Sequence, residues 1–474
     1  MSDRPVALLS MHSSSLQHRV AVPLYVSLAV TYVLASVLIA MLGLAPSWLV
    51  LAPPALFLLL YLTWRWPLYC LLLLMLLLPF QPAALLCMKF FHFPDVAVTV
   101  VSGTKEMVMA LLFVMLALRG KHRLILADWF LLSLLFVSIC VALFSGNPDL
   151  LVTLKDDFSF VLAYAVGRVL VTSEDQQAYF VGIGTAVLAF VAVLGIIEFL
   201  FVGSAPRLLV ADINPNQFYA GTATLGAEGL QGSRAASTLS SPIEFGHMCV
   251  MGLLLLAGYR RLLKWPYIVA TAALSGGLIA SVTRSAWLAV LVGFTVIALR
   301  TRQKAKFFSL FALAVLALFA VAPYIGMSDF LSLTLERKES SLVGHEQSVV
   351  EMTQYLLEHP FGSGPGTVGN RALQRTSAKR VLEVESSYIY FGLEYGVIGS
   401  LLFLGFCLLV VFATFRKSSP LGVAASALAI NFLIFSGLMS PPFDFPSAAW
   451  TWIPIGMAAT PIAHLATPHG GMGG

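Results

Sequence analysis

Four arginines lie beside long apolar segments, where they could bind an anion at a membrane surface. Arg234 precedes an apolar segment that begins near residue 240, and Arg284 lies in the short stretch SVTRSAW between two apolar segments. Arg371 and Arg375 belong to a basic run that ends at Arg380. The planar fork of a guanidinium binds two oxygens at once, so the set is suited to a phosphate or pyrophosphate. Taken alone, a basic run of this kind is also typical of a solvated face.

Two residues are candidates for a general base near these arginines. His345 lies in the polar segment SSLVGHEQ. Histidine titrates near neutral pH, which suits proton transfer from a hydroxyl group. Glu385, just before the next apolar segment, is the reserve candidate. A lone histidine is often structural, so that alternative stays open for His345.

Further polar side chains lie within or at the ends of apolar segments, where they are expensive to place in a bilayer. Lys105 and Glu106 are adjacent in sequence, so they are expected to point in different directions on a helix. Glu244 and His247 are three residues apart and are expected to share a helix face. The other members of this set are Glu198 and Glu394. Each is a candidate functional residue, and the alternative is an interfacial charge whose side chain extends to water.

The composition shows what kind of elements must position these residues. Of the 474 residues, 59% are hydrophobic and only 11% are charged. A soluble domain carries about 25% charged residues, and a chain this apolar cannot cover itself with a polar surface. The sequence therefore predicts an all-α polytopic membrane protein and excludes a cytosolic enzyme, a secreted domain and a nucleic-acid-binding protein. The five cysteines all fall in apolar segments, which predicts neither a disulfide framework nor a cysteine metal site.

The apolar segments predict 12 to 14 transmembrane helices, since about 20 apolar residues are needed to cross a bilayer. The weaker predictions are 47–64, 151–171 and the last two segments, and 151–171 carries four charged residues. The predicted spans lie at about 20–42, 47–64, 66–88, 102–119, 126–145, 151–171, 177–202, 240–260, 264–281, 283–300, 305–325, 386–414, 420–439 and 446–465.

Basic clusters predict the orientation, because short cytoplasmic loops are enriched in lysine and arginine. With 14 spans and a cytoplasmic N-terminus, all four clusters fall on the cytoplasmic side, at 119–123, 259–264, 300–306 and 415–417. The polar segments 203–239 and 326–385 then both face the outside. The predicted organisation is a bundle over 1–325, a large external loop over 326–385, C-terminal spans over 386–465 and a flexible tail over 466–474.

The large loop contains two predicted features. Residues 346–358 have apolar residues at helical spacing, which predicts an amphipathic helix lying on the bundle. The following stretch HPFGSGPGTVGN is glycine-rich and could present backbone N–H groups to an anion. The alternative is a tight reversal of the chain. The glycine-rich stretch contains no Walker pattern, so the phosphate-binding loop of an NTPase is excluded.

Three short motifs in a fixed order resemble the O-antigen ligase and polymerase superfamily. TRSAWLAVLVG resembles the start of a family span and carries Arg284, and SRAASTLSSPIEFGHM resembles an element that carries Arg234 and Pro242. The third motif combines a His-Pro pair, three spaced glycines, a polar pair, a tyrosine and the start of a span. Its residues here are His359, Pro360, Gly362, Gly364, Gly366, Glu385, Ser386, Tyr388 and the stretch 394–399. The resemblance covers about 230–400, and it departs from the family where many members have His-Asn or Glu-Asn in place of Glu385 and Ser386.

The resemblance implies a membrane glycosyltransferase of the GT-C-like fold that takes glycan from an undecaprenyl-pyrophosphate carrier at the periplasmic face. It also implies membrane lipid, a flippase and a chain-length regulator as partners. In this interpretation Arg234 and Arg284 neutralise the pyrophosphate, helped by Arg371 or Arg375. His345 is the base, with Glu385 in reserve. Lys105, Glu244 and Tyr388 are the remaining candidates for substrate binding, and neither a divalent metal nor a cofactor is expected.

Four interpretations are weighed after the motifs are considered. The context of His345 favours a polysaccharide polymerase, which passes glycan to another lipid-linked repeat unit. An O-antigen ligase, which passes it to lipid A core, is the first alternative. A transporter of lipid-linked sugar is disfavoured because the polar groups gather at one membrane face rather than at the midplane. A structural or sensor protein is disfavoured by the clustered arginines.

Overall fold

The computed structural model describes a helical bundle. The described residues are 59, 61–119, 123–145, 150–170, 172–202, 234–239, 241–259, 265–301, 340–368, 384, 386–437 and 446–460. Regular secondary structure in these ranges is helical throughout. The predicted spans 20–42 and 305–325, most of 47–64, and the candidates Arg371, Arg375 and Glu385 lie outside the described residues.

Thirteen α-helices are described, and most of them coincide with the apolar segments. They are α1 (Pro67–Leu77), α2 (Gln81–Phe90), α3 (Asp95–Arg119), α4 (Leu126–Ser145), α5 (Leu150–Val169), α6 (Glu174–Ile197), α7 (Pro242–Gly258), α8 (Trp265–Ala280), α9 (Arg284–Arg300), α10 (Ser340–Glu358), α11 (Ser387–Phe415), α12 (Pro420–Phe435) and α13 (Ser447–Ala459). A 3-10 turn, Leu78–Phe80, joins α1 to α2, and a π-helical turn, Glu198–Val202, ends α6.

Five described helices are long and apolar enough to cross a membrane: Pro67–Phe90, α3, α4, Glu174–Phe201 and α11. The shorter helices α7, α8 and α12 are also apolar. These helices confirm the all-α polytopic membrane class. The total of 12 to 14 spans and the GT-C-like arrangement stay predictions.

Helix starts follow the capping residues in the sequence. Ser241 precedes α7, its Oγ accepts the Glu244 N–H at 3.2 Å, and Pro242 occupies the first helical position. Ser241 is therefore the N-cap of α7, and Pro242 fits the first helical position because its backbone has no N–H to leave unpaired. Ser173 caps α6 in the same way, and the side chain of Gln176 returns a hydrogen bond to the Ser173 N–H.

The core of the bundle lies where α5 crosses α13. A Cβ at Gly167 would lie 2.4 Å from the Ile453 carbonyl oxygen, and one at Gly456 would lie 2.4 Å from the Tyr164 carbonyl oxygen. Only glycine allows the two backbones to approach so closely. The crossing fixes the ends of α5 relative to α13, and α5 carries several of the buried polar side chains.

One end of the bundle, which we call the Arg168 end, is held by a buried ion pair. Arg168 donates from Nε and Nη2 to the two carboxylate oxygens of Asp128 at 3.1 and 2.8 Å. The Tyr164 hydroxyl donates to the same carboxylate at 3.0 Å. Both members of the pair are buried, so each charge depends on the other.

Hydrogen bonds join three of the four basic clusters at the Arg168 end. Arg168 donates to the Arg123 carbonyl at 3.0 Å and to the Thr460 hydroxyl at 3.2 Å. Lys417 donates to the Thr460 carbonyl at 3.3 Å, and Arg300 donates to the Lys417 carbonyl. These clusters therefore lie at the same end, as the span count predicts. That this end faces the cytoplasm stays a prediction.

Candidate active site

At the opposite end of the bundle, which we call the Arg234 end, a short segment brings Arg234 onto the turn between α8 and α9. Its Nε donates to the Ser281 carbonyl at 3.2 Å, and its Nη2 donates to the Thr283 hydroxyl at 3.0 Å. The next residue, Ala235, donates its N–H to the Ala280 carbonyl at 3.0 Å. Both the side chain and the backbone of this segment are thus fixed to one turn.

The same turn is fixed to the start of α7. The Thr283 hydroxyl donates to the Pro242 carbonyl at 3.1 Å. A Cβ at Gly246 would lie 2.8 Å from the Ser281 Oγ, so α7 can approach the turn only because this residue is glycine. Three segments that are distant in sequence therefore meet around the guanidinium of Arg234.

Arg284 is the first residue of α9 and lies beside Arg234. Burial lowers the pKa of Arg234 to about 10, and the positive charge of Arg284 lowers it further in the same direction. The Arg234 guanidinium remains protonated at neutral pH with a pKa of about 10. The structure therefore brings together two arginines that lie 50 positions apart in the sequence, and their binding of an anion stays a prediction.

The backbone around these arginines adopts conformations that are uncommon for L-residues. Ser237 has φ +56° and Val282 has φ +45°. Positive φ is a true outlier for a β-branched residue such as valine. Such conformations cost of order 1–3 kcal/mol each and cluster at functional sites, where the surroundings hold them in place. Three described non-glycine residues have positive φ. Val282 lies between the two residues that bind Arg234, Ser237 lies three residues after Arg234, and His92 lies elsewhere.

The start of α7 adds polar groups next to the arginines. Glu244 lies in its first turn, and His247 lies three residues further along. The His247 Nε2 is 3.3 Å from the hydroxyl of Ser285, the residue after Arg284, and its ring lies against Phe435. The candidate Glu244 therefore belongs to the Arg234 end, together with a histidine that the sequence analysis placed on the same helix.

Lys105 belongs to a different group of charges. Its Nζ lies 3.9 Å from the Glu106 carboxylate, and the Lys155 Nζ of α5 lies 3.7 Å from the same oxygen. The two residues are neighbours on the helix, and their long side chains still bring the charged ends within 3.9 Å of each other.

The glycine-rich turn after α10 docks into a break in α11. The helix is interrupted at Gly396, which has φ +79°, and Gly362 has the same φ. A Cβ at Gly362 would lie 2.6 Å from the Gly396 nitrogen, and a Cβ at Gly396 would lie 2.8 Å from the Pro360 carbonyl oxygen. Each glycine therefore makes room for the other segment, which explains why both motifs require glycine here.

The acceptor that this turn binds is a side chain of the protein itself. The Gly366 N–H donates to the Glu394 Oε1 at 3.0 Å, and the Gly364 N–H donates to the Glu394 carbonyl at 3.2 Å. Glu394 is fully buried. At these positions the turn is a tight reversal of the chain that packs against α11. The structure therefore supports the tight reversal rather than an anion-binding turn.

Glu394 also belongs to a buried network that sequence reasoning did not assemble. Asp157 of α5 accepts hydrogen bonds from the hydroxyls of Tyr390 at 2.8 Å and Tyr395 at 2.6 Å. The side chains of Asp157 and Glu394 interact directly. The available signals were a charged residue inside an apolar helix and two tyrosines flanking Glu394. Neither signal reveals that α5 and α11 are partners.

The predicted amphipathic helix is confirmed as α10, although it buries a narrower stripe than the sequence indicates. Met352 is buried. Leu356 packs against Gly392 of α11, where an added Cβ would lie 2.6 Å from the Leu356 side chain. Val350 and Leu357 are 67% and 74% exposed. The candidate base His345 lies in α10, and its side chain lies outside the described part of the chain.

Tyr388 lies in the first turn of α11 at the Arg234 end. Its hydroxyl donates to the Leu433 carbonyl at 2.6 Å, which ties α11 to the end of α12. The Ser387 N–H strengthens the same connection by donating to the Ser436 carbonyl at 2.7 Å. The observed contact of Tyr388 is therefore with the bundle, and its predicted contact with substrate stays a prediction.

Comparison with known proteins identifies the region that carries these motifs. Residues 269–404 match a family model described as O-antigen ligase. The match begins within α8 and ends within α11, so it contains Arg284, α10 and the glycine-rich turn. None of the curated proteins matches the chain. The family match supports the resemblance to the O-antigen ligase and polymerase superfamily for the motifs that lie within residues 269–404.

Proposed function

We propose that this protein is a bacterial polysaccharide polymerase. It transfers glycan from an undecaprenyl-pyrophosphate donor to a lipid-linked acceptor repeat unit at the periplasmic face of the inner membrane. The observation that carries the proposal is the juxtaposition of Arg234 and Arg284 at one end of the bundle, where Arg234 is held by hydrogen bonds to Ser281 and Thr283. Arg284 also lies inside the region that matches the O-antigen ligase family.

The reaction needs little more than charge stabilisation and positioning. The acceptor hydroxyl oxygen attacks the anomeric carbon of the donor sugar, and the bond from that carbon to the pyrophosphate oxygen breaks. Negative charge then develops on the pyrophosphate, where fixed guanidinium groups stabilise it more strongly than in the bound donor. We assign this role to Arg234 and Arg284, with Arg371 or Arg375 assisting. No divalent metal is required in this scheme.

The proton of the acceptor hydroxyl must leave as the new glycosidic bond forms. We assign His345 as the base that takes it, with Glu385 in reserve. Glu244 lies in the first turn of α7, next to the segment that contacts Arg234, and is suited to binding sugar hydroxyls. Lys105 and Tyr388 complete the proposed substrate contacts. A flippase supplies the donor, and a chain-length regulator acts on the product.

An O-antigen ligase is the second candidate, and the description of the matching family favours it. The two functions share the donor and differ in the acceptor. A ligase passes glycan to lipid A core, whereas a polymerase passes it to another carrier-linked repeat. The context of His345 is the feature that favours the polymerase.

Deletion of the gene in its host tests the proposal, with surface and secreted polysaccharides resolved on gels. For a polymerase, long chains disappear while single repeat units remain attached to lipid A, or a secreted polymer is lost. For a ligase, attached chains disappear and polymer accumulates on the carrier. Complementation with Arg284→Ala should fail and with Arg65→Ala should succeed, since Arg65 is an exposed arginine near the Arg168 end. An unchanged profile on deletion would contradict both functions.

A further inference from the structure

The segment that carries Arg234 is held from a second side by a carboxylate. The Glu198 Oε2 accepts the backbone N–H of Ala236 at 3.1 Å and that of Ser237 at 2.6 Å. Glu198 begins the π-helical turn at the end of α6. π-Helical turns are rare in proteins, and those that occur are often found at functional sites.

The conformation of Ser237 makes this contact possible. Its positive φ turns two successive N–H groups toward the same point, which is the arrangement that forms an anion-binding nest. The Ser237 hydroxyl donates to the Val191 carbonyl of α6 at 2.7 Å and holds the strained residue against that helix. The nest is therefore occupied by a side chain of the protein.

Glu198 and the α8 to α9 turn hold opposite parts of the same four residues. Glu198 binds the backbone at 236 and 237, while the turn binds the backbone of Ala235 and the guanidinium of Arg234. A side chain can keep one orientation only if its own backbone is fixed. Hydrogen bonds to an ionised group are about twice as strong as neutral ones, which suits this task.

We propose that Glu198 is a positioning residue for Arg234. It fixes the segment 234–237 so that the Arg234 guanidinium stays beside Arg284 when the pyrophosphate binds. This inference rests on the proposed function, because the arginines are assigned there to the pyrophosphate. Its content is separate, since Glu198 acts through the backbone and need not touch substrate.

The variants Glu198→Ala and Glu198→Gln test this role, with Glu174→Ala as the matched control. Glu174 is an exposed glutamate at the opposite end of the same helix. Each full-length protein is purified in detergent, and three properties are measured: the melting temperature, the affinity for farnesyl pyrophosphate as a short prenyl-pyrophosphate probe, and the turnover of a lipid-linked donor.

Glu198→Ala should weaken binding of the probe and slow turnover by roughly 10- to 100-fold, the range for hydrogen bonds to a charged group. Its melting temperature should stay within about 3 °C of the wild-type value. Glu198→Gln keeps an oxygen acceptor and should recover most of both losses. The control should match the wild-type protein in all three measurements.

Two results would overturn the inference. In the first, Glu198→Ala binds the probe and turns over normally while Arg234→Ala does neither, which removes the positioning role and leaves the proposed function intact. In the second, both Glu198 variants lose activity only in proportion to lost folded protein, which reduces Glu198 to a structural residue. If Arg234→Ala itself is fully active and binds the probe normally, the proposed function fails, and the inference fails with it.

Discussion

The two ends of the bundle hold an arginine in different ways. At the Arg168 end, the guanidinium pairs with Asp128 at 2.8 Å, and both groups are buried. At the Arg234 end, the guanidinium donates to the Ser281 carbonyl and the Thr283 hydroxyl and lies beside a second arginine, and the carboxylate of Glu198 binds the adjacent backbone. At the Arg168 end the carboxylate stabilises the guanidinium directly. At the Arg234 end a carboxylate fixes the backbone that carries the guanidinium, and two positive charges lie side by side.

Removing the carboxylate at the Arg168 end should give the largest effect on stability. Asp128→Ala leaves a buried guanidinium without its carboxylate, which costs about 3–5 kcal/mol of unfolding free energy. The measurement is unfolding in detergent, with Asp175→Ala at an exposed position as the control. Activity per folded molecule should not change. A loss of activity at unchanged stability would place Asp128 in the active site and break the comparison.

Removing a guanidinium at the Arg234 end should act on turnover instead. Arg284→Ala is expected to lower turnover by about 10²–10³-fold, the effect typical of losing one fixed group that stabilises developing charge. Its melting temperature should match that of Arg65→Ala. Arg284→Lys should recover only part of the rate, because an ammonium cannot bind two oxygens in the planar geometry of a guanidinium. Chelation of divalent cations should leave the wild-type rate unchanged.

Gly396→Ala should disturb the docking of the glycine-rich turn. The added Cβ would lie 2.8 Å from the Pro360 carbonyl oxygen at a φ of +79°, so we expect a loss of about 1–3 kcal/mol. Gly103→Ala is the control, since a Cβ there meets nothing within 4 Å. Equal stability of the two variants would show that the docking is not tight. Thermal unfolding of both proteins in detergent makes the comparison.

Lys155→Ala should change stability by less than about 1 kcal/mol. Its Nζ lies 3.7 Å from the Glu106 carboxylate and its side chain is 42% exposed, which is typical of weak ion pairs. A larger loss in the same unfolding measurement would mean that the charges around Lys105 form a buried network comparable to the Arg168 end.

The pH dependence of anion binding should report the state of Arg234. With a pKa of about 10, this guanidinium loses its proton as the pH rises through that value, so affinity for farnesyl pyrophosphate should fall about twofold by pH 10. The folded-state pKa lies below the ordinary value of 12.5, so deprotonation relieves a cost of burial and does not unfold the protein through this group. The same titration of Arg234→Ala should lack this step.

The sequence predicts the helices well and the contacts between them poorly. The predicted spans 264–281 and 283–300 agree with α8 and α9 within a residue or two, because long apolar runs can form little else in a bilayer. The break in α11 at Gly396 was not predicted, because it is imposed by a turn more than 30 residues earlier in the chain.

For the candidate site too, the positions of residues along the chain were easier to predict than their contacts. Arg234 and Arg284 could be predicted to lie near each other, because both fall at the same predicted membrane face and each matches a motif. Asp157 could not be assigned its partners Tyr390 and Tyr395, which are more than 230 residues away. The ion pair of Lys105 with Glu106 was not predicted, since backbone periodicity does not limit where long side chains end.

The account depends most directly on Arg234 and Arg284 acting together on one pyrophosphate. The measurement is a double-mutant cycle in proteoliposomes that contain an undecaprenyl-pyrophosphate-linked oligosaccharide. Release of undecaprenyl pyrophosphate is followed for the wild-type protein, Arg234→Ala, Arg284→Ala and the double variant. Residues that act as a unit give strongly non-additive losses, so the double variant should be within about tenfold of the slower single variant. Wild-type turnover by either single variant would contradict the account.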